Sequence, residues 1–315
     1  MKRLNAIMAL ASAALCLIAA PLALADSPLR IYGPRLDDPQ APMFTTFTQA
    51  AGVEIELVQM SAEELDAAFQ QGGKPPVDVM LVTDSGNLQQ AVAAGMFQPV
   101  ESERLGERVP AGLRDLDAGW AGYATRSRVI FTNPEKLDWT PESYEDLADE
   151  HLKGKLCLGG GGSTYNVSLV SSMVAHHGED AAQAWVEGLM NNLAQAPGER
   201  DGALLQATAE TLNLVWPNQQ GEGLQGRGAY RNVTAGALVK NTPNEADAVH
   251  FLEHLASDSV QQDVAQGIFY PVVDGLSASV AEQTLGNVTF DDIAMRELSE
   301  RYAIARKIMQ GAGWK

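Results

Sequence analysis

Cysteine is nearly absent from this chain. Two occur in 315 residues, and Cys16 belongs to an N-terminal leader. Cys157 is then alone, so no intrachain disulfide can form and the fold rests on its apolar core. On the apolar run at 155–158, a lone cysteine is expected as a small buried residue. Positive charge is scarce as well. The chain carries 22 Lys and Arg against 40 Asp and Glu, a net charge of −18, which excludes nucleic acid and anionic membrane surfaces as partners. Past residue 25 no apolar run approaches the ~20 residues of a membrane-spanning helix. G-x-S-x-G, H-E-x-x-H and a Walker loop are all missing, and no Ser, His and Asp fall at a catalytic spacing, so no enzyme is expected.

What is present begins with residues 1–25. Lys2 and Arg3 precede an apolar stretch at 7–20 and the sequence Ala23-Leu24-Ala25, the pattern of a cleaved secretory signal peptide. Leu15 stands where a lipoprotein signal would want a small residue before Cys16. The expected mature protein is exported, soluble, periplasmic and monomeric, with no membrane insertion after cleavage.

Strand patterns at 29–33, 53–59 and 77–82 alternate with helical patterns at 41–51, 61–71 and 84–94. This β-α-β-α-β order predicts an α/β fold with a parallel sheet and right-handed crossovers. Ser61 and Glu64 form a capping box. A β-rich run at 120–133 carries Arg126 and Arg128; Arg128 reads as a lobe-linking ion pair. Thr140-Pro141 reads as a helix start. Further helices are expected at 164–174, 180–194, 244–256 and 291–310, with extended segments at 233–240 and 267–273.

The most informative segment is KLCLGGGGSTYNVSLVSSMVAHHG, residues 155–178. An apolar run breaks into four glycines, Ser163 and Thr164 offer helix caps, and Tyr165 occupies the first turn. Glycines let backbone amides approach a ligand, and a helix start favours negative charge. Gly160, Gly161, Gly162, Ser163 and Thr164 are therefore candidate anion-binding residues beside a ligand-facing Tyr165. The other reading is a permissive strand-to-helix turn with a packing tyrosine. His176 and His177 are neighbours on a helix, face different ways and cannot chelate one metal together.

The phrases VDVMLVTDSGNLQQAVAAGMFQPV (77–100), RSRVIFTN (126–133), YNVSLVSSMVAHHGEDAA (165–182), VWPNQ (215–219), NVTAGALVKNTPNEADAVHFLEHLAS (232–257) and AGWK (312–315) together resemble the periplasmic ferric-iron-binding proteins, the substrate-binding subunits of iron ABC importers. The resemblance spans nearly the whole mature chain. It implies a two-lobe, type II periplasmic binding fold, transferrin-like, with a cleft between the lobes. Lobe 1 would be 26–125 plus 233–274, and lobe 2 would be 126–232 plus 275–315. A membrane permease is the implied partner. The implied cargo is Fe(III), held on tyrosine phenolates with a synergistic anion such as carbonate. Fe(III) is a hard cation that prefers anionic oxygen and deprotonates a coordinated phenol.

Tyr165 matches a family iron ligand, and Arg126 matches the arginine that holds the anion. The family's paired tyrosines do not match. They follow a Gly-Glu-x-Asp-x-Ala-Leu phrase that recurs here at 198–204, yet no tyrosine lies between Tyr165 and Tyr230. Pro34 stands at another expected ligand position. Tyr32 and Tyr230 are possible substitutes as metal ligands, and Asp37-Asp38 is either a carboxylate source or a solvated loop. The chain therefore reads as a binder of ferric iron or a ferric chelate. The alternative is an anion- or carboxylate-binding or sensor-type member that takes no bare iron.

Overall fold

The computed structural model describes residues 27–315 except 34, 35, 37, 199–211, 268, 274, 275, 277–285 and 287. The leader, Pro34, Asp37 and most of the phrase at 198–204 thus lie outside the described residues.

Alternating apolar residues set the first strands. β1 (Leu29–Tyr32) lies between β2 (Ile55–Leu57) and β3 (Val79–Thr83), and pairs with both in parallel. α1 (Pro42–Ala51) starts on proline and ends at Gly52, whose φ of 70° is the left-handed stop a glycine permits. α2 (Ala62–Gln71) opens with the expected capping box: the Glu64 amide donates to Ser61 Oγ at 3.1 Å, and the Ser61 amide to the Glu64 carboxylate at 2.8 Å. α3 (Ser85–Ala93) follows β3, and α4 (Glu103–Arg108) follows in turn.

The rest of the large sheet is antiparallel. β4 (Arg114–Asp115) and β5 (Trp120–Ser127) pair with each other, and β8 (Arg231–Leu238) enters between β5 and β3. The order is β2-β1-β3-β8-β5-β4, with β9 (Tyr270–Pro271) on β5. The sheet is therefore mixed rather than parallel. β8 and β9 return to it from far along the chain, and local periodicity carries no sign of that return. Leu29, Ile31, Val79, Ala237 and Leu238 are almost fully buried in its core, and each large apolar side chain so buried contributes about 1.5–3 kcal/mol.

The β-rich run at 120–133 is two strands. β5 stays in the large sheet, whereas β6 (Ile130–Thr132) pairs with β7 (Asn213–Val215) in a separate two-stranded sheet. α5 (Thr164–His177) and α6 (Glu179–Asn191) pack against each other. A terminal helix, Met295–Gly311, packs on α5, α6 and α3.

Three local expectations fail. Thr140-Pro141 opens no α-helix; the Asp146 carboxylate instead takes the amides of Glu142 and Ser143 at 2.8 and 2.9 Å, and a short 3-10 turn, Glu145–Ala148, follows. Residues 155–158 form no named strand, only an isolated parallel bridge from Leu156 to Leu193. Cys157 consequently points outward and is exposed, not buried.

Candidate functional site

The site forms where β5 and β8 leave the large sheet side by side. Arg126 is the register partner of Asn232, and Ser127 of Arg231. The N-terminus of α5 approaches these strand ends. Arg126, Ser127, Arg128, Tyr165 and Asn232 line a cavity of about 170 Å³ there.

Two guanidiniums surround one phenol. Arg126 Nη2 donates to Tyr165 Oη, and its guanidinium lies 4.4 Å from the Tyr165 ring centroid and 5.8 Å from that of Phe269. Arg128 lies 5.6 Å from the Tyr165 ring centroid. Its Nη2 donates to Asn166 Oδ1. Ser127 Oγ is turned away, donating to the Tyr230 carbonyl at 2.6 Å. Such stacked and hydrogen-bonded guanidiniums suit a planar carboxylate or carbonate. The start of α5 adds to the positive field.

The glycine run has a different task. The Gly161 amide donates to the Lys315 carbonyl at 2.9 Å, and a methyl on Gly161 would overlap the Trp314 backbone. A Cβ on Gly160 would press the Gly198 carbonyl at 3.1 Å, whereas Gly162 has open space around it. Asn166 Nδ2 donates to the carbonyls of Gly159 and Gly160 at 3.1 and 2.9 Å, and Trp314 Nε1 to Gly159 at 2.9 Å. Gly160 and Gly161 therefore seat the chain's C-terminal residues, and neither they nor Gly162 are among the residues lining the cavity. Ser163 and Thr164 do not line it either, and Ser163 caps α5 without a side-chain hydrogen bond.

The substitute tyrosines are not at the cavity. Tyr230 is fully buried. Burial, and then the nearby Asp84 carboxylate, push its phenol far above the usual range. Tyr32 is half-buried at the end of β1; burial, Asp66 and Glu63 push its phenol up as well. The paired histidines are occupied separately: His176 Nε2 meets Asp291 at 2.6 Å, and His177 Nε2 meets Glu145 at 2.7 Å. Among the described residues no three His, Cys, Asp or Glu side chains converge as metal ligands. Sequence reasoning missed Asn232 and Asn166. Their only signal was position: Asn232 is the register partner of Arg126, and Asn166 directly follows Tyr165.

Comparison with known proteins places the chain in a family. Residues 74–301 match the family of bacterial extracellular solute-binding proteins. Iron uptake protein A1 of Synechocystis sp. is 34% identical, over 93% of this chain and 90% of its own length. A solved Trichodesmium protein (IdiA, FutA) in complex with iron and citrate ligands superposes with a TM-score of 0.82 at 29% identity, covering 92% of this chain and all of the other. Apo FutA2 from Synechocystis superposes with a TM-score of 0.82 at 30% identity, covering 91% of this chain and 99% of the other. The fold is the two-lobe α/β fold of these proteins. The chain belongs to the bacterial extracellular solute-binding protein family.

Proposed function

We propose that this family member is the periplasmic substrate-binding subunit of an ABC importer, and that its cargo is ferric iron carried as an anionic chelate. The observation that carries this reading is the single cavity phenol, Tyr165, set against two guanidiniums. A hard trivalent cation needs a shell of anionic oxygens, and one phenolate cannot provide it. A polycarboxylate supplies the remaining oxygens, and its residual charge pairs with Arg126 and Arg128. The iron-uptake relatives, and the one solved with iron and citrate, support the same cargo.

In this reading residues 1–25 are the export leader and the mature chain acts as a monomer. Lobe 1 comprises 26–125 and 233–274, and lobe 2 comprises 126–232 and 275–315. Among the described residues no helix is long and apolar enough to cross a membrane, and a separate permease reads the closed form. Titration with ferric citrate tests the assignment. A visible charge-transfer band is expected from Tyr165 on iron, absent in Tyr165→Phe; a colourless wild-type complex would refute the iron–phenolate contact. The two arginines also favour a second reading, a carboxylate carried without metal. Citrate alone would then raise Tm as much as ferric citrate does.

A further inference from the structure

Asp84 lies beneath the cavity and does more than its place in the chain requires. It ends β3 with a φ of 81°, a left-handed conformation unusual for a side-chain-bearing residue. Its carboxylate is fully buried. Oδ1 accepts the Gly86 amide at 2.8 Å, which caps α3. Ser168 Oγ donates to both carboxylate oxygens, at 2.9 and 3.0 Å, and Asn232 Nδ2 donates to Oδ2 at 2.7 Å. These donors are all neutral, and burial pushes the Asp84 carboxyl above the usual range. A capping bond alone would be met more cheaply by serine or asparagine. The extra bonds reach two walls of the ligand cavity. Asn232 is itself a lining residue, with Oδ1 held by the Val233 amide at 2.9 Å. Ser168 sits one helical turn after Tyr165 on α5.

We propose that Asp84 is a positioning residue that ties the Asn232 wall and the Tyr165 helix to lobe 1, so that ligand capture and lobe closure are felt at one carboxylate. It touches no ligand. The inference rests on the cavity being the ligand site. Asp84→Asn is nearly isosteric but sets an amide nitrogen against the Asn232 amide or the Gly86 amide, donor to donor. Ser168→Ala cuts the tie to α5 and leaves the cap in place.

The test combines hydrogen exchange on the ligand-free protein with ferric citrate binding. Both variants should speed exchange at 164–170, and Asp84→Asn also at 231–234. Affinity for ferric citrate should fall roughly tenfold, out of proportion to the change in Tm, and the double variant should lose little more than Asp84→Asn alone. If Asp84→Asn fails to fold, Ser168→Ala still reads the α5 arm. Unchanged exchange at both segments in the ligand-free protein, or affinity losses that simply track Tm, would overturn the proposal. Failure of the wild type to bind ferric citrate would count against the cargo and leave the exchange result to judge Asp84.

Discussion

Seven tyrosines are distributed so that Tyr165 alone lines the cavity. Tyr144, Tyr230, Tyr270 and Tyr302 are buried, and burial, reinforced by Asp84, pushes the Tyr302 phenol up to about 12. Tyr165 and Arg126 were legible in the sequence because each sits in a phrase with a family counterpart. The role of the glycines was not legible, for a physical reason. An anion cradle and a close-packing turn demand the same residue, and the contact that decides between them, Trp314-Lys315, is remote in sequence. Hydrogen bonds to charged groups are worth about 1.5–3 kcal/mol, roughly 10- to 100-fold in binding. Isothermal titration with ferric citrate should show losses of that size for Tyr165→Phe and for Arg126→Ala. Gly162→Ala, with open space around its Cβ, should bind as the wild type does.

At the level of elements, those with local signals were legible: α2 by its capping box, and α3 and the terminal helix by their helical patterns. The insertion of β8 between β3 and β5 was not, because its partners are fixed by side-chain packing over more than a hundred residues. The split of 120–133 into β5 and β6 was hidden for a related reason, since both strands are apolar and only their pairing differs. Two substitutions separate elements that shape the site from those that only support it. Ser61→Ala should cost about 1 kcal/mol in a denaturant titration, with ferric citrate affinity intact. Gly161→Ala forces the Trp314 backbone away from the start of α5. Overpacking of this kind costs typically 1–3 kcal/mol, and it should weaken binding as well, because α5 carries Tyr165.

Across the whole molecule, two carboxylates held low set the response to acid. Burial raises the Asp78 carboxyl, but hydrogen bonds from Arg30, Thr242 and Asn244 outweigh it and hold the group below its ordinary value. Glu145 is likewise held low: burial opposes, while Asn218 and Arg227 prevail. A depressed carboxyl adds stability that is fully present above its unfolded value, about 4, and is lost as pH falls through the folded one. Tm should therefore stay level from neutral pH to about 5 and fall below about 4, with a shallower fall in Asp78→Asn.

In the proposed function iron enters with its anion. Equilibrium dialysis against ferric citrate labelled on both the iron and the citrate carbon tests it most directly. Both labels should be retained together by the wild type and lost together in Arg126→Ala. Retention of iron without citrate, or of citrate without iron, would contradict the account.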